Sequence, residues 1–238
     1  MAIGIIGCSE SKVDSNTDPI IGIDTVVTDE VKNQESDLIT FNLGEITAKV
    51  KLIEKSEFEK IFIPKPSEDE AKNLYKDSLK VTRIQDTLIF KLNNGENAYL
   101  INDDSDDDSK YGQYHYLGTI DNLNHFIVYG AFYEWHNYLL IDMESGDTNY
   151  LAGFPILSPD KKTIISGNCD LVAGFTFNGL ELYSNTNPIN KISSIELMEW
   201  GPEEIKWIDN SILLIKGYVS DTSMDNLRRL EYFKIEFK

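Results

Sequence analysis

One plan recurs four times along the chain: a strand-like run, a short turn built on Asp or Asn, and a second, more apolar run. The units occupy 81–90, 117–128, 155–166 and 205–215. Their turn residues Asp86, Asp121, Asp160 and Asp209 stand 35, 39 and 49 residues apart. Short β-rich runs at this spacing, with room for about four strands per interval, predict a repeated antiparallel meander. A unit of that kind buries its faces against its neighbours, so the constraint falls on the whole array and not on any one strand.

Tight turns reinforce the pattern. Asn93-Asn94-Gly95-Glu96 is expected to join 88–92 to 98–101, and Glu144-Ser145-Gly146-Asp147 to join 138–142 to 148–151. Asn178-Gly179 predicts a third hairpin between 175–177 and 180–183. Gly and Asn accept the positive φ angles such turns require. Helical periodicity is confined to 67–76, with Ser67 as the N-cap and Glu70 at the capping-box position. A further unit is expected from the runs at 38–41, 47–53 and 60–63. The expected fold class is therefore all-β, a small β-propeller-like array of about five four-stranded blades. An irregular β-sandwich is the other arrangement that such hairpins permit. The folded domain is expected to span 20–238.

Two resemblances extend this reading. Ser158-Pro159-Asp160-Lys161-Lys162, followed by a β-run, resembles the turn of bacterial WD40-like (TolB-type) propeller repeats, and 138–146 resembles the hairpin found two strands earlier in such blades. The resemblance implies propeller blades across 79–238. At the N-terminus, Ile5-Ile6-Gly7-Cys8 resembles the lipobox of bacterial lipoproteins. It implies a lipid on the Cys8 thiol, with 1–7 as the remnant of a signal-peptide apolar region. Between Ser9 and Asp18 the only apolar residue is Val13, so 8–19 is expected to be a flexible tether, too polar to offset its ordering entropy. The implied location is the bacterial cell envelope, with membrane contact through the anchor alone. The other reading makes 2–7 a first β-strand of a cytoplasmic protein, with Cys8 a small buried residue.

Charge narrows the partners. Forty acidic residues against 22 basic give a net charge of −18, which argues against nucleic acid, since phosphate backbones are bound by clustered Lys and Arg. Cys8 and Cys169 are the two cysteines, too few for a disulfide framework or a multi-cysteine zinc site. Asp104, Asp106 and Asp108 alternate in the densest acidic cluster and offer hard oxygens to Ca²⁺. An EF-hand register fails there, with Ser109 where Gly is needed and His115 where Glu is needed, so a solvated loop is expected and no cofactor. His115, His125 and His136 match no metal-ligand spacing. Ser158, Ser166 and Cys169 lie outside any Gly-x-Ser-x-Gly elbow, and no His follows His136.

Aromatic residues crowd beside the acidic loop: Tyr111, Tyr114, Tyr116, Tyr129, Phe132, Tyr133, Trp135 and Tyr138. Most are expected to alternate into the core. The turn 132–136 is the expected contact surface, since Tyr and Trp combine large contact area with a polar tip. The residues expected to meet a partner are Asp104, Asp106, Asp108, Tyr111, Phe132, Tyr133 and Trp135. The function expected from these features is that of a monomeric, non-catalytic binding protein for a cationic protein or a glycan. An immunity or inhibitor protein against a basic toxin or lytic enzyme is one such form. Two alternatives are a surface carbohydrate-binding lipoprotein and an envelope hydrolase working through paired carboxylates.

Overall fold

The structure, a computed structural model, describes residues 39–64, 66–223 and 227–238. Cys8, the expected anchor region 1–7 and the tether 8–19 lie outside the described residues. Four antiparallel sheets account for most of the described chain. The first in chain order holds β3 (Val81–Ile84), β4 (Thr87–Lys91) and β5 (Asn97–Ile101). The second runs β6 (Gly112–Thr119), β7 (His125–Phe132), β8 (His136–Asp142) and β9 (Thr148–Leu151). The third runs β10 (Ile156–Leu157), β11 (Thr163–Asn168), β12 (Gly179–Ser184) and β13 (Asn190–Glu196). The fourth combines β14 (Trp200–Asp209), β15 (Ile212–Ser220) and β16 (Arg228–Phe237) with β1 (Ile39–Leu43) and β2 (Ile46–Leu52), in the order β1-β2-β16-β15-β14. Within each sheet hydrogen-bonded neighbours are antiparallel, and no sheet closes on itself.

The all-β expectation holds, and each sheet contains one of the four Asp turns. Asp86, Asp121 and Asp160 lie between β3 and β4, β6 and β7, and β10 and β11; Asp209 heads the β14–β15 turn. Asp160 shows how the turn works: its carboxylate accepts the Ser158 hydroxyl at 2.7 Å and the Lys162 N–H at 3.1 Å, while Lys161 takes the left-handed conformation at φ 64°. The Asn93–Glu96 and Glu144–Asp147 turns also close hairpins as expected, pairing β4 with β5 and β8 with β9.

Three expectations are corrected. Among the described residues there are four sheets where about five units are expected, because β1 and β2 form no sheet of their own. Instead β2 pairs with the exposed edge of β16, Val50 opposite Ile235, while 60–63 is not a strand. The hairpin at Asn178-Gly179 does not form: 175–177 is irregular, and β12 pairs with β11 and β13. Asn178 is instead buried, donating to the carbonyl oxygens of Leu197 and Trp200 (3.0 Å for the latter). The 67–76 helix starts later than predicted, as α2 (Glu70–Lys76), because Asp69 rather than Ser67 caps it by accepting the Lys72 N–H at 3.1 Å. A short α1 (Lys55–Glu59) was not predicted. It is held by buried Lys206, whose ammonium lies 3.7 Å from the Phe58 ring centroid and donates to the Ile61 carbonyl at 2.8 Å.

Three hydrophobic cores join the four sheets, and strand alternation distributes residues among them. Phe126 and Val128 point into a core shared with Leu88 and Phe90, whereas Ile127 between them points into one shared with Ile164 and Tyr183. Leu139, Leu140 and Ile141 divide the same way. In β11, Ile164 faces one core and Ile165 the next, which holds Trp200, Trp207 and Phe233. Apolar runs without polar alternation therefore mark strands buried on both faces.

The edge of β6 away from β7 carries backbone groups that need partners, and side chains supply them. Glu70 of α2 accepts the Tyr116 N–H at 2.7 Å and binds Arg83 of β3 in bidentate fashion, at 2.7 and 3.0 Å. Arg83 also donates to the Tyr114 carbonyl, and Asn102 accepts the Tyr114 N–H at 2.9 Å. The helix thus stands between β3 and β6 and serves both.

Buried His125 makes the fold sensitive to pH. Its Nε2 lies 3.7 Å from Asp142 Oδ2, and its Nδ1 has no partner among the described residues. Burial holds the imidazole below its ordinary value of 6.5, against the opposing pull of the Asp142 charge. The unfolded chain therefore takes up a proton near pH 6.5 that the folded chain refuses, and stability falls as pH drops through that value. Urea unfolding between pH 7.5 and 5 is expected to show a loss of up to about 1.4 kcal/mol per pH unit below 6.5 from this group. Subtracting the curve of His125→Gln isolates it, and coincident slopes for the two proteins would refute the assignment.

Candidate functional site

The acidic loop and the aromatic turn singled out by sequence meet at one end of the second sheet. Gly112 at the start of β6 pairs with Phe132 at the end of β7, and a bridge from Asp103 to Gly112 brings in the loop between β5 and β6. The turn 133–135 reverses the chain into β8 with Glu134 at φ 64°. The charges of Glu134 and Asp108 raise the Tyr133 hydroxyl above its ordinary value.

Within the loop the carboxylates divide into two groups. Asp103 accepts the Ser105 N–H at 2.8 Å; Asp107 accepts from Ser109 and pairs with Lys110 at 2.7 Å. These hydrogen bonds hold both carboxyls below the usual carboxylate range. Asp104 accepts from the Gln113 amide, while Asp106 and Asp108 make no ion pair among the described residues. The cluster builds a loop and presents negative charge. Among the described residues no group of three or more His, Cys, Asp or Glu is placed to hold a metal ion.

The eight aromatics sort by strand face. Tyr116 is fully buried, and its hydroxyl donates to Asp77 at 2.8 Å. Tyr114, Tyr129 and Tyr138 are half-buried, whereas Tyr111, Tyr133 and Trp135 are exposed. Phe132 is half-buried and serves as a backing: its ring stacks on Trp135 at 4.0 Å and 14°, with Tyr114 edge-on behind it at 5.8 Å. Of the expected contact residues, Phe132 therefore supports Trp135, and the other six lie at the surface.

Beside Trp135 opens a cleft of about 290 Å³ that the sequence reading did not anticipate. Its aromatic wall is Trp135, Tyr150 and Phe175, which are 45%, 61% and 56% exposed, so the rings are available to a partner. His136, Asn137 and Thr176 add polar groups. Asn137 Oδ1 is buried, at the position a side chain on Gly130 would crowd, and has no donor among the described residues. The sequence pattern marks both Tyr150 and Phe175 as strand residues, whereas Phe175 lies in a loop that replaces the expected hairpin.

That loop, 169–178, is shaped by three short polar side chains. Asp170 accepts the N–H groups of Gly174, Phe175 and Thr176 and the Thr176 hydroxyl, at 2.6–2.9 Å. Burial pushes its carboxyl up, but the hydrogen bonds outweigh that and hold it below the usual range. Asn168 donates to Thr176 and to the Phe177 carbonyl, and its oxygen faces His136 Nε2 at 3.3 Å. Asn178 accepts the Asp170 N–H at 3.0 Å. Phe175 is thereby presented on a pinned loop.

Among the described residues Glu181 is the one acidic residue lining the cleft, and both its oxygens are occupied, by Lys191 at 2.6 Å and the Ala152 N–H at 2.7 Å. Two facing carboxylates of the kind glycoside hydrolysis needs are not formed in this cleft. The serines weighed as nucleophiles are structural: Ser158 shapes the Asp160 turn, and Ser166 bonds both the N–H and the carbonyl of Gly153. Burial pushes the Cys169 thiol up, away from the reactive thiolate.

No protein-family model matches this chain, and no curated protein compared with it is significantly similar. Asp170→Ala is expected to release the Gly174, Phe175 and Thr176 amides and to destabilise the fold by about 1–3 kcal/mol. Hydrogen exchange checks this. Protection should fall at 174–176 and persist at Ile164 and Leu182; unchanged exchange in the loop would show that Asp170 does not hold it.

Proposed function

We propose that this protein is a non-catalytic binding protein that engages a cationic partner where the acidic loop 102–111, the turn 133–135 and the pinned loop 169–178 present their side chains. The carrying observation is the exposed aromatic wall of Trp135, Tyr150 and Phe175, close to a loop whose Asp106 and Asp108 make no ion pair among the described residues. A Lys or Arg side chain on the partner gains cation–π contact from such rings, and the net charge of −18 steers its approach. Asp103, Asp107 and Asp170 pre-order the loops, which limits the entropy lost on binding. A basic toxin or lytic enzyme fits this description as the partner.

The four sheets read as blades of an open, propeller-like array. One Asp turn per sheet, the pairing of β2 with β16, and inter-sheet cores between successive sheets support that reading. The lipobox-like Ile5-Ile6-Gly7-Cys8 supports attachment to a bacterial envelope through Cys8. Among the described residues no helix is long and apolar enough to cross a membrane. A glycan is the second reading, favoured by the mixture of rings with the Asn137 and Thr176 side chains in the cleft.

Affinity capture from envelope extracts on the full-length chain is expected to recover a basic protein that elutes with salt. The double variant Trp135→Ala/Phe175→Ala should weaken it at least tenfold. Capture of nothing, or capture that the variant leaves intact, would overturn the cationic-partner reading; salt-resistant binding on a glycan array would favour the second. In the native host, the mass of the N-terminal peptide should reveal a diacylglyceryl adduct on Cys8 that Cys8→Ser removes. An unmodified chain retaining Met1 would refute the anchor.

A further inference from the structure

Away from the acidic end, the protein has a hollow of opposite character. A pocket of about 470 Å³ lies between α2 and the far end of β6. Its walls include Ser67 from the segment before the helix, Lys72, Tyr75 and Lys76 from α2, and Leu117 and Thr119 from β6. The chain has 40 acidic residues, and among the described residues none lines this pocket.

A β-bulge lies in its wall. The β6–β7 register slips between Tyr116 and Gly118, leaving Leu117 without a partner on β7, and Gly118 takes φ 102°, which an L-residue adopts only under strain. The Glu70–Tyr116 and Asn73–Tyr116 hydrogen bonds join strand and helix just before the bulge, and Gly118 stays beside the Asn73 side chain. Leu117, Gly118 and Thr119 line the pocket from the strand side.

Lys72 and Lys76 are one helical turn apart, so they share a side of α2. Neither has an ion-pair partner among the described residues. Of the carboxylates nearest in sequence, Glu70 is engaged with Arg83 and the Tyr116 N–H and Asp77 with the Tyr116 hydroxyl, Asp69 caps the helix at the Lys72 N–H, and Glu68 forms no ion pair with either lysine among the described residues. Two like charges one turn apart are mutually unfavourable, and an anion shared between them removes the repulsion. The exposed Tyr75 ring and the Leu117 side chain supply apolar surface in the same hollow.

We infer that this pocket binds a small organic anion, its phosphate or carboxylate group held by Lys72 and Lys76 and its apolar body against Tyr75 and Leu117. The site is separate from the aromatic cleft and does not depend on the function proposed for it.

Titration of the full-length protein at low ionic strength with phenyl phosphate, inorganic phosphate and benzyl alcohol tests the inference. Phenyl phosphate is expected to bind saturably with 1:1 stoichiometry, at least tenfold more tightly than either fragment. Amide shift changes should be confined to 66–76 and 117–119, which locates the site without any variant. Lys72→Gln/Lys76→Gln should weaken binding at least tenfold while leaving the thermal transition unchanged, since both lysines are exposed. Absence of saturable binding, shifts elsewhere, or equal affinity in the double variant would overturn the proposal. Equal affinity for inorganic phosphate would also overturn it, by removing any role for the apolar wall.

Discussion

Burial of a sheet on both faces is the constraint from which the rest of this structure follows. A strand sends successive side chains to opposite sides, so Ile127 and its neighbours Phe126 and Val128 serve different cores, as do Ile164 and Ile165. Each apolar side chain so buried contributes about 1.5–3 kcal/mol, and no sheet can keep that contribution without the next. The sheets are therefore interdependent, and variation is left to the turns and loops at their ends. There the molecule spends its Asp and Asn residues.

Those polar residues have a common task. Asp160, Asp103, Asp107 and Asp170 turn the chain by accepting nearby N–H groups; Asn178 and Asn73 reach buried carbonyl groups; Glu70 and Arg83 satisfy the open edge of β6. Much of the negative charge is thus structural, and satisfying backbone groups is as valuable as making new contacts when the alternative is an orphaned donor. The carboxylates outside this duty, such as Asp106 and Asp108, and the rings turned outward remain available for the binding proposed above.

How much of this can be read from sequence depends on the range of the determining interaction. The Asp turns and the Asn93–Glu96 hairpin are legible because their cause lies within four residues. The start of α2 was displaced to Asp69 because two neighbouring side chains competed to cap it. Asn178-Gly179 misled for a different reason: Asn178 bonds groups some twenty residues away, at Leu197 and Trp200. The pairing of β2 with β16 was invisible, since alternation tells which face of a strand is buried and not which strand lies beside it. At the candidate site, Tyr111, Tyr133 and Trp135 were found because turn residues announce exposure. Phe175 was missed because its loop is held by the Asp170 and Asn168 side chains and not by strand pairing, and Tyr150 because its exposed ring sits on a strand and not in a turn.

The pairing of β2 with β16 also sets an order of biosynthesis. Ala48 and Val50 leave the ribosome well before the strand that covers them, Arg228–Phe237. The β1–β2 hairpin must wait with its apolar face and one edge uncovered until β16 emerges. Such a long-range closure is slow and leaves the nascent chain open to mispairing. A chaperone that grips extended apolar segments therefore has a long opportunity at the β1–β2 hairpin. Loss of even a few residues from the end of β16 would be felt at β2, far away in sequence.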